Sequence, residues 1–228
     1  MEKKVSVKGI KKEPVSRRDV PMAVIRRLPR YHRFLGELLK KGRTRISSAG
    51  LSELMGVTAS QIRQDLNCFG GFGQQGYGYN VEYLYEQIGE LLGIEEDYTA
   101  VVMGAGNLGR ALVSSHMFER RGVSRLAMFD IDPAVIGKSF GGVPVLALSE
   151  LEDFAAHNKI DIGVLTTPKD AAEGVANRLA ALGVAGIWNF SNMELTLPDY
   201  PETVIENMHM GDSLMLLCYA LKSAKEDA

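Results

Sequence analysis

Cysteine is scarce in this chain: Cys68 and Cys218 are the only two in 228 residues. They are too few and too isolated for a disulfide framework or a thiolate metal site, which points to a reducing compartment. Long apolar runs are missing too. No stretch approaches the roughly 18 residues of a membrane span. Near the N-terminus, Val5, Val7 and Ile10 are separated by Lys and Ser, so no apolar core of a signal peptide forms. A cytoplasmic chain is expected, with neither membrane nor metal among its partners. Catalytic pairings are also lacking, because His32, His116, His157 and His209 fall into no evident His/Asp or Lys/Tyr arrangement. A non-enzymatic protein is the expectation.

What is present is strongly divided. The formal net charge of −2 is the sum of two opposed parts. Residues 1–85 hold 16 Lys and Arg against 7 Asp and Glu, a balance of +9, and the remainder holds 10 against 21, or −11. A basic end of this kind is the electrostatic footprint of a phosphate-binding surface. Residues 1–20 lack apolar periodicity and read as a basic, disordered arm.

From Pro21 the pattern turns helical. Val24, Ile25 and Leu28 precede Pro29, and Tyr31, Phe34, Leu35, Leu38 and Leu39 then recur at spacings of three and four up to a stop at Gly42. Ser47 or Ser48 can cap a short helix carrying Leu51, Leu54 and Met55, and Gly56 gives the freedom for a tight turn. Thr58 can cap the next helix, Ala59 to about Phe69, with Ile62 and Leu66 inward and Ser60, Gln61, Arg63, Gln64 and Asn67 outward. This is the helix-turn-helix layout, whose second helix enters the major groove of DNA. Gln and Arg suit bidentate contacts to adenine and guanine, and Thr44, Arg45, Ser47 and Ser48 are placed for phosphates. The segment from Gly70 to Asn80 follows with five glycines and three aromatics in eleven residues. It reads as a wing, a tight hairpin whose tip (Gln75, Gly76, Tyr77) approaches a nucleic-acid backbone closely.

After a helix from Val81 to Gly93, Thr99 to Met103 reads as a buried strand entering Gly104, Ala105, Gly106, Asn107, Leu108 and Gly109. In this G-x-G-x-x-G pattern the first glycine makes the turn, the second admits a pyrophosphate and the third lets helix and strand pack closely. A second strand, Arg125 to Phe129, ends at Asp130, about 20 residues beyond the last glycine, where a ribose-binding acid belongs. An acid there favours NAD over NADP, because a 2′-phosphate would meet a negative charge. Strands at Val143 to Leu146, Ile162 to Thr166, Gly186 to Phe190 and Val204 to Glu206 alternate with helices at Leu148 to His157, Lys169 to Leu182 and Gly211 to Lys225. Loops at the carboxyl ends of the strands face the ligand, which nominates Thr166, Thr167, Pro168, Asn189 and Phe190 for the nicotinamide side. The last helix is apolar around its circumference from Leu214 to Leu221, so one face on its own domain cannot bury it. Insertion into a second subunit, or full burial within one, would satisfy it, and a dimer would present two recognition helices to a palindromic site.

The expected fold class is therefore α/β: an N-terminal winged helix-turn-helix domain, then a Rossmann domain with a doubly wound parallel sheet, then a C-terminal swapped helix. The boundaries read as 1–20 for the arm, 21–85 for the winged helix, 86–210 for the Rossmann domain and 211–228 for the helix. From about Pro21 to Tyr219 the chain resembles the redox-sensing transcriptional repressors of the Rex family. The matching stretches are residues 57–66, the wing residues 75–80, the Gly104 to Gly109 fingerprint, residues 129–133, Asn189 with Phe190, and residues 204–207. The resemblance implies a homodimer that binds NAD and NADH, swaps its C-terminal helix, represses at an inverted-repeat operator in double-stranded DNA when apo or NAD+-bound, and lets go when NADH accumulates. Three positions depart from the family pattern: Ser115 where Tyr is common, His209 where an acid is common, and Gln74 where Lys or Arg is frequent. Other readings are an NAD-dependent dehydrogenase with an appended DNA-binding domain, a thiol sensor built on Cys68, and a pocket for another adenine nucleotide such as CoA or NADP.

Overall fold

The computed structural model describes residues 20–68 and 78–226. Residues 1–19 of the basic arm and the wing positions Gln74, Gln75, Gly76 and Tyr77 lie outside the described residues. The chain divides into two compact units between Glu95 and Glu96.

The N-terminal unit contains α1 (Met22–Ile25), α2 (Leu28–Lys40), β1 (Arg45–Ile46), α3 (Ser48–Met55), α4 (Ala59–Asn67), β2 (Tyr79–Asn80) and α5 (Val81–Leu92). Pro29 sits in the first turn of α2, where its missing N–H costs no hydrogen bond. Leu28, Tyr31 and Leu35 recur at helical spacing on one face of α2 and are fully buried, with Leu51 of α3, Ile62 of α4 and Leu84 and Ile88 of α5 around them. Because Ile88, Leu91 and Leu92 pack into this core, the unit runs past the boundary expected after residue 85. Val20, expected in the arm, is also buried in it. Strands β1 and β2 pair antiparallel, Arg45 with Asn80 and Ile46 with Tyr79, which ties the start of α5 to the chain just before α3.

One carboxylate lies inside this apolar core. Asp65 of α4 is fully buried and accepts two hydrogen bonds from Arg27, at 2.8 Å from Nε and 2.6 Å from Nη2. Tyr31 Oη (3.0 Å) and Gln61 Nε2 (2.8 Å) complete its shell. Burial pushes the Asp65 carboxyl up, but the hydrogen bonds from Arg27, Gln61 and Tyr31 and the charge of Arg27 outweigh it and hold the group below the usual carboxylate value. Burial, and then the bond to Asp65, push the Tyr31 phenol well above its ordinary value.

The C-terminal unit is a seven-stranded sheet in the order β5-β6-β4-β3-β7-β8-β9. Its strands are β3 (Tyr98–Met103), β4 (Val123–Asp130), β5 (Ser139–Phe140), β6 (Val143–Ala147), β7 (Ile162–Leu165), β8 (Gly186–Asn189) and β9 (Val204–Asn207). All neighbours are parallel except the β5–β6 hairpin at one edge. Alternation along β3 builds two cores. Val101 and Met103 face one with Ala127, Phe129 and Leu165, and Ala100 and Val102 face the other with Met128 and Val164. Helix α6 (Asn107–Ser114) covers the second face, while α7 (Leu151–His157) and α8 (Lys169–Ala181) cover the first. The helix expected from Leu148 starts instead as a 3-10 turn over Leu148–Glu150, and β5 was not foreseen. Six strands in the order β6-β4-β3-β7-β8-β9 reproduce the 3-2-1-4-5-6 arrangement, with a ligand crevice where the order reverses between β3 and β7.

The Asp65 cluster leads to a pH-dependent expectation. In native protein Asp65 contributes stability above the unfolded-chain value near 4, and this contribution is lost as pH falls through its lower folded value. Arg27→Met leaves only Gln61 and Tyr31 to oppose burial, which raises the folded value and handicaps the variant most above pH 4. The cost at pH 7 is about 2 kcal/mol, less than for a wholly buried pair because Arg27 is 37% exposed. Hydrogen exchange of the α4 amides checks it: the gap between variant and native chain narrows between pH 7 and pH 4.

Candidate functional site

Two loci carry the chemistry, one in each unit. In the N-terminal unit the helix-turn-helix forms as the caps dictate. Ser47 Oγ accepts from the Gly50 amide (3.0 Å), Gly56 closes α3 in the left-handed conformation, and Thr58 Oγ1 accepts from the Gln61 amide (3.2 Å). Both capping hydroxyls keep their own proton as a donor toward a phosphate. Ser60, Arg63 and Gln64 are exposed on the outer side of α4, and Arg63 Nη1 lies 3.2 Å from Ser48 Oγ. Arg45 is exposed on β1, one residue before Ile46 joins the core. Gln61 departs from expectation: it is half-buried and its amide is bound to Asp65, because four residues along a helix bring the two side chains together. This bond supports the orientation of α4. Cys68 is half-buried at the end of α4, with Sγ 4.0 Å from the Gln64 carbonyl oxygen.

In the C-terminal unit the three fingerprint glycines perform separate tasks. Gly104 turns the chain at φ 103°, in a conformation closed to other L residues. A Cβ on Gly109 would lie 2.1 Å from the Gly104 carbonyl oxygen, so only glycine allows α6 to approach β3 this closely. Nothing stands within 4 Å of a Cβ built on Gly106, which leaves open space at the start of α6, where no side chain caps the helix. Asn107 is exposed and Leu108 half-buried there, and the unpaired N–H groups of this first turn favour an anion.

Asp130 stands at the carboxyl end of β4 beside this turn. Its Oδ2 accepts from the Ala105 amide at 2.5 Å, and Oδ1 accepts from Ile131 and Asp132 at 2.7 and 2.9 Å. The carboxylate therefore holds the turn, and each oxygen has further lone-pair capacity for a ribose hydroxyl. Across the crevice, Thr166 Oγ1 lies 3.0 Å from the Met103 carbonyl and 2.9 Å from that of Gly104, closing β7 onto β3. Thr167 Oγ1 is buried without a partner, the orphaned polar atom expected where a ligand supplies the missing bond. Exposed Pro168 starts α8. Half-buried Phe190 packs on Trp188 with ring centroids 4.6 Å apart. An open cradle at Gly106, a carboxylate at the second strand and a buried unpaired hydroxyl at the switch point fit a dinucleotide.

The side chain of Asn189, also expected at the nicotinamide end, has its partners within the protein. It is 1% exposed, its amide nitrogen donates to Met193 O (2.9 Å) and Asn207 Oδ1 (2.8 Å), and its oxygen accepts from the amide and hydroxyl of Ser191. With these groups occupied, its side chain fixes the loop after β8. Of the three departures from the family pattern, the two among the described residues have local partners: Ser115 Oγ donates to Leu112 O (2.7 Å), and His209 Nε2 lies 3.0 Å from Glu194 Oε2. Sequence reasoning missed Asp65, whose placement beside Ile62 and Leu66 on the inward stripe of α4 was a readable signal. It also missed Arg110, whose Nε donates to the Ala105 carbonyl at 2.6 Å. Nothing local marks that contact. Among the described residues no helix is long and apolar enough to cross a membrane, and no group of three or more His, Cys, Asp or Glu is placed to hold a metal ion.

These loci define a class: a DNA-binding N-terminal domain joined to a Rossmann-type domain. Residues 19–67 match the family model described as "Putative DNA-binding protein N-terminus", and residues 95–193 match "CoA binding domain". A redox-sensing transcriptional repressor Rex from a Thermoanaerobacter species is 54% identical over 202 residues, covering 89% of each chain. A solved structure of RSP in complex with β-NAD+ and operator DNA is 52% identical with a TM-score of 0.82, covering 90% of this chain and 94% of that one. A structure of RSP in complex with β-NADH is 48% identical with a TM-score of 0.81, covering 90% and 96%. The chain belongs to the Rex family of redox-sensing transcriptional repressors.

The glycines generate a paired expectation in thermal unfolding. Gly106→Ala meets no neighbour at φ −73° and leaves stability unchanged or raises it by about 0.5 kcal/mol. Gly109→Ala drives a methyl group into backbone and costs about 2–3 kcal/mol.

Proposed function

We propose that the chain is a DNA-binding repressor that reads the ratio of NADH to NAD+, holding an inverted-repeat operator when apo or NAD+-bound and releasing it when NADH binds. The observation that carries this reading is the open cradle at Gly106, flanked by Asp130 and the unpaired Thr167 hydroxyl, in a chain whose other unit presents a capped recognition helix. RSP, a relative of this chain, has been solved with β-NAD+ and operator DNA and with β-NADH. In this reading Gly104, Ala105, Gly106, Asn107, Leu108 and Gly109 hold the pyrophosphate, Asp130 the adenosine ribose, and Thr166, Thr167, Pro168 and Phe190 the nicotinamide end. Arg45, Ser47, Ser48, Thr58, Ser60, Arg63 and Gln64 face DNA, joined by the wing residues Gln75, Gly76 and Tyr77. Gln61 acts through Asp65.

The nicotinamide pair supplies the signal, since its two forms differ by a hydride and by the positive charge of the oxidised ring. The apolar ring surface at Phe190 favours the neutral, reduced form, because an unpaired cation is costly to bury. Binding of NADH and of DNA must then oppose each other by equal factors. Shifting the population from 1:99 to 99:1 takes about 5.5 kcal/mol, or about 2.8 from each of two nucleotides per dimer. CoA and NADP carry an additional ribose phosphate that would face the Asp130 carboxylate, so NAD(H) is the preferred occupant. The role is regulatory and not catalytic, and it is exercised in the cytoplasm, where the nicotinamide pool meets DNA.

The homodimer rests on α9 (Met210–Glu226), the last helix. Leu214, Leu216 and Tyr219 are 62%, 70% and 71% exposed within one protomer, and Met215, Leu217 and Leu221 are also exposed. A helix apolar on every side needs a second surface, and exchange between two copies supplies it.

Operator-binding anisotropy at fixed salt, with NADH titrated against a background of NAD+, tests the switch. Release by NADH is the expected result, while indifference to both nucleotides would discard it. For the helix, Leu214→Glu combined with Leu217→Glu converts dimer to monomer in sedimentation. The same variant weakens operator binding at least tenfold by removing the second half-site contact.

A further inference from the structure

Both polar groups of Ala105, the residue between the first two glycines of the turn, are held by charged side chains of opposite sign. Its amide donates to Asp130 Oδ2 (2.5 Å) and its carbonyl accepts from Arg110 Nε (2.6 Å). The Arg110 guanidinium in turn lies 4.5 Å from the centroid of the Phe140 ring on β5. One turn further along α6 the same hairpin docks again. A Cβ on Gly141 would fall 2.7 Å from the Val113 carbonyl oxygen and 2.9 Å from Ser114 Cα. The β5–β6 hairpin thus clasps α6 at two successive turns, and Arg110 carries the clasp back to the glycine turn.

We propose that Arg110 is a positioning residue for the dinucleotide, acting through Ala105 and the Phe140 hairpin. This rests on the dinucleotide reading of the site. A turn with three glycines in six residues has a large conformational entropy to lose, and at Gly106 there is no side chain to limit it. If the turn must be ordered when the ligand arrives, that loss is subtracted from affinity. With Ala105 pinned from the ribose side by Asp130 and from the sheet edge by Arg110, the amides of the turn are aligned beforehand. Lysine cannot replace Arg110, because it has neither the Nε–H fork nor a plane to stack on Phe140.

Calorimetric titration of the full chain with NADH, NAD+ and ADP tests this. Arg110→Met and Arg110→Lys each weaken all three ligands about tenfold, the scale of one charged hydrogen bond with a cation–π contact. The NADH to NAD+ affinity ratio and the nucleotide-free operator affinity stay at native values, because the disturbed turn meets the adenosine diphosphate part that all three ligands share. Phe140→Ala reproduces the loss and Phe140→Tyr restores binding, which general destabilisation would not do. Native affinity in Arg110→Lys would reduce Arg110 to a charge near an anion and overturn the proposal. So would unchanged binding in both Arg110→Met and Phe140→Ala while native protein binds NADH. A native chain that binds none of the three ligands would overturn the dinucleotide reading itself, and this inference with it.

Discussion

Helix α6 and the turn that leaves β3 meet at a backbone-to-backbone contact, Gly109 against the Gly104 carbonyl, that leaves no room for a methyl group. Most of the C-terminal site depends on that approach. Because the helix starts this close to the strand, the connecting turn has only five residues between Met103 and Gly109 in which to reverse, which forces Gly104 to positive φ and brings Ala105 against Asp130. The same closeness sets the first turn of α6 at the reversal point of the strand order, with Gly106 open to the crevice and Thr166 bridging the ends of β3 and β7. An open helix start, a carboxylate against the turn and a switch-point hydroxyl follow from one steric permission.

The N-terminal unit depends on a different kind of constraint. Its recognition helix is short and has little apolar surface beyond Ile62 and Leu66, so burial alone orients it weakly. The bidentate pair between Arg27 and Asp65 ties α4 to the start of α2, and Tyr31 and Gln61 satisfy the remaining acceptor positions. A charged pair adds direction where an apolar contact would allow sliding. Its geometry therefore sets the angle at which Ser60, Arg63 and Gln64 are presented.

Much of this was legible in the chain because the signals were local. Ser47 and Thr58 cap their helices because a hydroxyl just before a helix reaches the amide three residues on, and such spacing is visible in any sequence. The alternation of β3 and the roles of the fingerprint glycines are equally local, and Asp130 falls where the strand ends. What is not legible is a residue's partner. A polar residue at a strand end such as Asn189 reads as a ligand contact, and only the fold shows that Ser191, Met193 and Asn207 take up its side-chain groups. Gln61 looked outward on a helical wheel that could not show the pull of Asp65. The boundary set after residue 85 likewise ignored that Ile88 and Leu92 share an apolar stripe with Leu84 and belong to the core that α5 completes.

By itself the sequence determined most of the elements and their order, though not β5, together with the helix-turn-helix and the glycine turn, because each is written in spacings shorter than about two helical turns. It also determined that α9 is apolar all round. Tertiary structure alone decided which polar groups were already satisfied: that Asp65 is buried against Arg27 from 38 residues away, that Arg110 braces Ala105 beneath Phe140, and that Thr167 keeps an unpaired hydroxyl. The physical reason is that hydrogen-bond satisfaction belongs to pairs of atoms brought together by the fold. A sequence shows which residues carry donors and acceptors, and only the folded chain shows which of them remain for a ligand.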